Sequence, residues 1–190
     1  MVSTALNVLL LLLSTSTVAM ALRHSHRLFV YGTLKRGFYN HNVYLRLAEK
    51  SGAAIFLGTA RTVDTYTLGI MGPRCIPALW ENPSKTGQQI EGEMFGISDR
   101  CLAAMDILEG VATGRYYRVK RSIRLVSAKE EEEQPIMDCW VYLQKPPNDD
   151  DELDSSCHES YTKDLHDLYV PPSTEPDPTI LELLNESDEK

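Results

Sequence analysis

Short runs rich in β-branched and aromatic residues recur through the middle of the chain and constrain its fold more than any other feature. They lie at 28–31, 53–59, 62–70, 76–80, 88–97, 116–126 and 138–143. Runs of this composition, bounded by turn-forming residues, predict strands. Segments 43–50 and 99–109 favour helices, the second capped by Ser98 or Asp99 and stopped by Gly110. Because strands and helices do not alternate regularly, we expect an α+β domain, a small closed or curled mixed β-barrel with one or two short helices.

Charge is distributed unevenly along the 190 residues, which carry 27 Asp and Glu against 19 Lys and Arg. Residues 146–190 hold 14 acids and two lysines, a net charge of −12, so residues 1–145 have a net charge of +4. This balance excludes a non-specific nucleic-acid binder, which needs a basic stripe. A mildly basic body suits a small anionic substrate. The segment 173–190, with few aromatics and many charges, predicts an acidic flexible tail.

The first 21 residues have the pattern of a secretory signal peptide. An apolar run at 8–13 is followed by Ala19-Met20-Ala21, and the run is short for a membrane span. We therefore expect a secreted protein with no membrane span in the mature chain. The alternative is an N-terminal extension, or a start placed too far upstream, on a cytoplasmic protein.

Cys75, Cys101, Cys139 and Cys157 are widely scattered. They form no close pair of the kind that binds zinc, and their spacing selects no disulfide pairing. Cys101 and Cys139 lie in apolar stretches, where buried, inert thiols are expected.

A glycine-bounded turn, YGTLKRG at 31–37, follows the first predicted strand. Successive backbone N–H groups in such a turn can hold an anion, and Lys35 and Arg36 add positive charge nearby. The alternative is an ordinary strand-to-loop turn. The glycine spacing fits neither a P-loop nor a dinucleotide-binding loop.

Glu109 falls on the apolar face of the predicted helix 99–109. At roughly 100° per residue it lies about 20° from Leu102 and about 40° from Met105. A carboxyl group facing an apolar interior has a raised pKa, as a group that must both accept and donate a proton near neutral pH requires. The alternative is a Glu109 that bends out to solvent or pairs with Arg115 or Arg118.

Other candidates carry weaker signals. Glu91 and Glu93 share one strand face and are either catalytic carboxylates or a solvent-facing edge. His41 is expected to stabilise the glycine loop.

An ordered set of motifs resembles the gamma-glutamylcyclotransferase-like family, and within it the gamma-glutamylamine cyclotransferase branch. The motifs are FVYGTLKRG at 29–37 with Asn40-His41, Ile76-Pro77, EGEMF at 91–95, Leu102 to Glu109 with Met105-Asp106, and Tyr116-Tyr117-Arg118. They cover about 27–126, and we place the whole domain at 23–172.

The resemblance implies a barrel-like α+β fold and an enzyme that cuts γ-glutamyl compounds without water, releasing an amine and 5-oxoproline. The family's catalytic glutamate maps onto Glu109. Its substrate-binding loop maps onto Tyr31, Gly32, Thr33 and Leu34. No metal and no organic cofactor is implied. We expect a monomer whose partner is a small-molecule γ-glutamyl substrate.

Three activities remain open on the sequence alone. One is release of lysine from ε-(γ-glutamyl)-lysine. Another is cleavage of γ-glutamyl amino acids or glutathione, and the third is a non-catalytic γ-glutamyl-binding module. Phe38 and Tyr39 depart from the smaller or polar residues of relatives, and Tyr39 can change the size of the amine pocket. Arg74 and Cys75 are further candidates to line it.

Overall fold

A computed structural model describes residues 24–81, 87–126, 134–147 and 157–186. Within these ranges the strands are β1 (His26–Val30), β2 (Ala54–Thr62), β3 (Thr67–Met71), β4 (Ile76–Trp80), β5 (Glu91–Ile97), β6 (Tyr117–Leu125) and β7 (Ile136–Leu143). Strands β1-β5-β2-β6-β7 close into a barrel, and β3 and β4 form a separate antiparallel pair. The barrel pairs are antiparallel except at the closure, where β1 meets β7 in parallel at Leu28 and Trp140. The predicted mixed barrel is confirmed.

The described helices are α1 (Arg46–Lys50), α2 (Asp99–Glu109), α3 (Lys163–Asp167) and α4 (Pro178–Asn185), with a π-helical turn at His41–Leu45 leading into α1. Helix α2 begins and ends as its caps predict. The Ser98 side chain accepts a hydrogen bond from the Cys101 N–H, and Gly110 takes the left-handed conformation, φ 65°. The prediction of one or two helices is wrong in number, because α3 and α4 were not anticipated.

Strand β1 lies between two apolar cores. Leu28 and Val30 face a core shared with α2 and α4, whereas Phe29 and Tyr31 face the barrel interior. All four are buried. Since successive strand side chains point to opposite faces, the continuous apolar run is explained by burial on both sides.

The predicted flexible tail 173–190 is wrong for residues 178–185. These form α4, whose Ile180 and Leu184 are buried in the same core as α2. Asp177 caps the helix by accepting from the Thr179 N–H, and Pro178 is its first residue. Ile180 and Leu184 are one helical turn apart, so they form an apolar stripe despite the acidic composition around them.

All four cysteines are free thiols, with Cys101 and Cys139 buried. The predicted signal peptide 1–21 lies outside the described residues. Of the helices that are described, none has the length and apolar character to cross a membrane.

Candidate active site

A pocket of about 190 Å³ opens where β1 ends, α2 ends and β4 begins. The structure brings Glu109 and all four residues of the predicted substrate loop, Tyr31, Gly32, Thr33 and Leu34, into its wall. The other lining residues are Phe29, Val30, Asn40, Tyr44, Arg74, Ile76, Pro77, Leu108, Arg115, Tyr116, Tyr142, Gln144, Tyr169 and Pro172. Residues far apart in sequence are therefore assembled as the helical pattern and the glycine turn predict, while their chemical roles remain predictions.

Glu109 is the last residue of α2 and is partly buried. Burial raises the pKa of its carboxyl group to about 7, although the nearby positive charge of Arg115 opposes this. Arg115 donates to the backbone carbonyls of Leu108 and Glu109, the second at 3.1 Å from Nε. Arg118 pairs with Asp106 at 3.0 Å. Among the described residues no ion pair engages the Glu109 carboxylate, so the alternative of a pair with Arg115 or Arg118 is wrong.

Glycine is needed at position 32 because Pro77 leaves no room there for a side chain. A Cβ added to it would lie 2.7 Å from Cγ of Pro77, well inside van der Waals contact. The positive φ that glycine permits is used instead at Gly37, where φ is 87°. The Lys35 N–H donates to the Gly32 carbonyl at 2.9 Å, which closes the turn. Glycine at position 32 thus lets the loop and strand β4 form adjoining walls of the pocket.

Thr33 ties the loop to the helical segment that follows. Asn40 donates through Nδ2 to the Thr33 hydroxyl at 2.7 Å, and the His41 N–H donates to the Thr33 carbonyl at 3.1 Å. These bonds fix the loop backbone, as the sequence motif through Asn40 and His41 indicates.

Lys35 and Arg36 do not line the pocket, contrary to the expectation that they add charge to an anion site. Lys35 donates to the Tyr161 carbonyl at 2.9 Å. Arg36 stacks on Phe56, with its guanidinium carbon 3.6 Å from the ring centroid, and its N–H donates to Glu93. Both charged side chains therefore have partners outside the pocket.

The alternative catalytic carboxylates also have structural partners. Glu91 pairs with Arg61 at 3.0 Å, and Glu93 accepts from the Arg36 N–H at 2.7 Å. Neither carboxylate lines the pocket.

Three pocket tyrosines direct their hydroxyl protons away from Glu109. Tyr31 donates to the Tyr142 carbonyl at 2.8 Å, Tyr116 to the Pro77 carbonyl at 3.3 Å, and Tyr142 to Asp106 at 2.8 Å. Burial raises the pKa of each, and the Glu109 carboxylate raises it further. Because these protons are committed elsewhere, they do not stabilise the ionised form of Glu109.

The sequence patterns assign no role to Tyr142 or Asp106, and they offer Arg118 only as a partner of Glu109. Asp106 lies one helical turn before Glu109, accepts from the Tyr142 hydroxyl and pairs with Arg118. Arg118 in turn lies over Trp140, with its guanidinium carbon 4.4 Å from the ring centroid. Asp106 and Arg118 both belong to the sequence motifs. Their pairing joins α2 to β6, so no local pattern predicts it.

Residues 157–172, called the late segment, complete the outer side of the pocket through Tyr169 and Pro172. Arg74 holds it in place: its Nε donates to the Val170 carbonyl at 2.9 Å, and the Val170 N–H donates back to the Arg74 carbonyl at 3.0 Å. The next residue, Cys75, has a φ of 52°, which is rare for a residue with a side chain. Arg74 lines the pocket as expected, whereas Cys75 is not among the lining residues.

The arrangement is equipped for proton transfer. A carboxyl group with a pKa of about 7 is present in both forms near neutral pH and can take up and return a proton. In the described parts of the chain, no three His, Cys, Asp or Glu side chains come together in a way that could hold a metal ion.

Comparison with known proteins identifies the family. The family model described as "Gamma-glutamyl cyclotransferase, AIG2-like" matches residues 28–163. The gamma-glutamylaminecyclotransferase of Homo sapiens is 37% identical over 119 residues, 60% of this chain and 75% of that protein. An Arabidopsis thaliana protein provisionally named a gamma-glutamylcyclotransferase is 42% identical over 101 residues, 53% of this chain, and the match spans about half (51%) of that relative.

A solved structure gives the same assignment. The crystal structure of an AIG2-like protein from Mus musculus superposes with a TM-score of 0.63 at 29% identity, covering 79% of this chain and 98% of that one. The fold, the ordered motifs and the family-model match agree with the family resemblance seen in the sequence. The chain belongs to the gamma-glutamyl cyclotransferase, AIG2-like family.

Proposed function

We propose that the protein is a gamma-glutamylamine cyclotransferase that converts a γ-glutamyl amine, ε-(γ-glutamyl)-lysine above all, into 5-oxoproline and the free amine. The observation that carries this proposal is the half-buried Glu109 carboxyl group, with its pKa near 7, in one pocket with the glycine loop. The named activity of the human relative supports the choice of a γ-glutamyl amine.

The proposed reaction uses Glu109 and the loop amides in successive steps. The substrate's α-ammonium must lose a proton before its nitrogen can attack the γ-carbonyl carbon, and Glu109 accepts that proton. The new C–N bond closes a five-membered ring as the carbonyl oxygen takes on negative charge, and backbone N–H groups of loop 31–34 stabilise it.

The tetrahedral intermediate then collapses and the bond to the leaving nitrogen breaks. Of the three ammonium protons, one stays on the ring nitrogen and two finish on the released amine. Glu109 takes and returns each, so no water is consumed. Much of the rate gain comes from folding the substrate back on itself, since orientation of this kind lowers the entropic barrier.

A release assay tests the proposal directly. The full chain is incubated with ε-(γ-glutamyl)-lysine, and 5-oxoproline is measured. We expect product with the wild type and at least a thousandfold lower kcat with Glu109→Gln, because the amide cannot accept a proton. Glu182→Gln is the matched control, because Glu182 is exposed on α4 outside the pocket. Equal product from wild type and Glu109→Gln would overturn the role of Glu109.

The same assay with γ-glutamyl amino acids and glutathione decides between the two substrate classes. Faster turnover of those compounds than of the lysine isopeptide would move the proposal to the second class. Tight binding of every compound with no 5-oxoproline would instead support a non-catalytic binding module.

Secretion is part of this proposal, because a secreted enzyme can meet extracellular isopeptides. Residues 1–21 lie outside the described residues, so support for this location comes from their sequence pattern alone. Mass spectrometry of the mature protein is expected to find an N-terminus after Ala21, and an intact N-terminus would favour the cytoplasmic alternative.

A further inference from the structure

His166 lies on helix α3, outside the pocket, and joins two segments of the chain at the outer side of the pocket. Its Nε2 atom accepts a hydrogen bond from the Tyr39 N–H at 3.2 Å. Its backbone carbonyl accepts from the Tyr169 N–H at 3.0 Å. Tyr169 lines the pocket, and Tyr39 lines a groove of about 640 Å³ that adjoins it, since Tyr44 and Leu108 line both. His166 therefore links the residues after the glycine loop to the late segment.

The hydrogen bonds of the His166 ring determine which nitrogen carries a proton. A backbone N–H can only donate, so Nε2 must keep a lone pair and the neutral ring must carry its proton on Nδ1. Nδ1 lies 3.3 Å from the Tyr161 hydroxyl oxygen, which can accept from it. An imidazolium carries a proton on both nitrogens, so its Nε2 would meet the Tyr39 N–H donor to donor. Protonation of His166 is therefore incompatible with its bond to Tyr39.

Aromatic rings hold the imidazole in this orientation. The Phe38 ring stacks on it with centroids 4.5 Å apart, and the Tyr169 ring stacks on it with centroids 5.6 Å apart. The Tyr161 ring meets it edge to face at 5.8 Å. Stacking needs the ring but no acceptor nitrogen, so substitution can separate this contribution from the hydrogen bond.

Lys163 and Asp167 are the charged groups of α3 that act on His166, and they pair with each other. Burial lowers the pKa of His166 below its ordinary 6.5, the positive charge of Lys163 lowers it further, and Asp167 opposes this. The ring is therefore neutral at neutral pH, as its bond to Tyr39 requires.

The neighbouring segments bring two further positive charges toward the stacked rings. Nζ of Lys35 lies 5.7 Å from the centroid of Phe38, and the Arg74 guanidinium carbon lies 6.0 Å from that of Tyr169. Burial raises the pKa of the Tyr161 and Tyr169 hydroxyls, so both stay neutral. A proton added to His166 would enter a region that already holds like charges.

We propose that His166 is a positioning residue for the pocket: its neutral imidazole holds Tyr39 against the late segment, and a proton on Nε2 breaks this link. The proposal rests on the proposed function, since it takes the pocket as the substrate site. His166 is not among the lining residues, so it acts through Tyr39 and Tyr169. Loss of the link should weaken substrate binding without changing proton transfer by Glu109, so KM should rise and kcat should not.

Two variants separate the hydrogen bond from the stacking. His166→Gln carries an amide oxygen that can accept from the Tyr39 N–H and does not titrate, whereas His166→Phe keeps a ring and removes the acceptor. With the full chain and ε-(γ-glutamyl)-lysine at about pH 7.5, we expect KM to be about three- to tenfold higher in His166→Phe and close to wild type in His166→Gln, with kcat unchanged in both. An unchanged KM in His166→Phe, or an equal rise in both variants, would overturn the role of the hydrogen bond.

The pH dependence of KM supplies a second readout. As pH falls from about 7.5 to about 5, KM of the wild type should rise relative to that of His166→Gln, with a midpoint below 6.5. Both proteins contain Glu109, so the ratio of their KM values removes its titration. His158→Gln is the matched control, because His158 lies in the late segment and lines neither space, and it should keep the wild-type profile. A constant ratio between wild type and His166→Gln would overturn the effect of protonation.

Nitrogen NMR of the histidine rings tests the link without turnover. At about pH 7.5 we expect the Nδ1–H tautomer of His166, and as the ring takes up a proton the Tyr39 amide signal should shift with it. If no γ-glutamyl compound yields 5-oxoproline but this tautomer and this shift are found, the cyclotransferase proposal fails and the link through His166 stands. An Nε2–H tautomer, or a Tyr39 amide signal indifferent to the titration, would overturn the link whatever the activity.

Discussion

The two walls of the pocket are built in different ways. The inner wall consists of Tyr31, Gly32, Glu109, Tyr116 and Tyr142. It comes from the ends of strands and of helix α2, and its three hydroxyls already donate to carbonyls or to Asp106.

The outer wall consists of Arg74, Tyr169 and Pro172, and it comes from the β3–β4 turn and the late segment. The Tyr169 ring stacks on His166 with centroids 5.6 Å apart, and the neighbouring Val170 is hydrogen-bonded to Arg74. The Arg74 guanidinium carbon lies 6.0 Å from the centroid of the Tyr169 ring.

This difference separates chemistry from recognition. Polar groups that are fixed before substrate arrives do not have to reorganise during proton transfer, and the inner wall is of that kind. The outer wall is instead held by ring stacking and by the hydrogen bonds between Arg74 and Val170, and it contains none of the expected catalytic groups. Changes to the inner wall should therefore alter kcat, and changes to the outer wall should alter substrate preference.

Leu184→Ala tests how firmly α4, which follows the outer wall in the chain, is anchored to the core. Leu184 lies in α4 and is buried in the core shared with α2, and removing a buried leucine side chain costs about 2–5 kcal/mol of unfolding free energy. Urea unfolding measures the loss. Leu168→Ala, at a residue 60% exposed, is the control and should change stability by less than about 0.5 kcal/mol. Equal effects would mean that α4 is only loosely attached.

The pH dependence of stability tests the burial of Glu109. Its pKa rises from an ordinary 4.5 to about 7 on folding, so between these values the folded state holds a proton that the unfolded state has released. Stability therefore falls as pH rises through this window. Gln cannot titrate. The unfolding free energy of Glu109→Gln, relative to that of the wild type, should therefore rise by up to about 3 kcal/mol between pH 4 and pH 8.

Thermal or urea unfolding of both proteins across that pH range measures the difference. Glu182→Gln should show no comparable gain, since that side chain is exposed. A flat difference for Glu109→Gln would place its carboxyl group in water and remove the basis for its role as a base.

Gly32→Ala tests the crowding in the inner wall. Its Cβ would press on Pro77, so the loop or strand β4 must shift, and we expect kcat/KM to fall about tenfold. Gly37→Ala is the matched control: no atom lies within 4 Å, but φ is 87°, so it should cost about 1 kcal/mol of stability with kcat/KM unchanged. Comparable activity loss in both variants would point to backbone strain instead.

Tyr142→Phe should have the smallest effect. It removes the hydrogen bond to Asp106 but leaves Asp106 paired with Arg118, so we expect about a threefold lower kcat with KM unchanged. Steady-state kinetics check this against Tyr117→Phe, at an exposed residue outside the pocket. A rise in KM alone would show that Tyr142 contacts substrate instead of supporting the inner wall.

Local patterns predicted the inner wall well. The 3.6-residue periodicity of α2 and its caps at Ser98 and Gly110 placed Glu109 correctly, because the signals lie within one short segment. The boundary between β2 and β3 was less accurate. Strands were expected at 53–59 and 62–70, but β2 extends to Thr62 and β3 begins at Thr67. The pairing of β2 with β5 shifts register between Phe56 and Gly58 and then continues.

The outer wall was harder to predict for physical reasons. Arg74 and Val170 meet through pairing across 96 residues, which no local pattern encodes. Helix α4 did carry a local signal, Asp177 followed by Pro178 and spaced apolar residues. The high acidic charge around it outweighed that signal, although charge alone does not prevent a short helix from burying two apolar side chains.

Because α2 ends at Glu109 and is capped by Gly110, the length of the helix sets the position of the carboxylate. One residue inserted between Met105 and Glu109 would turn that group by about 100° and advance it by about 1.5 Å, out of the pocket. Insertions in the exposed connections elsewhere would leave it in place. We therefore expect length changes inside this last helical turn to separate the Glu109 carboxyl group from loop 31–34.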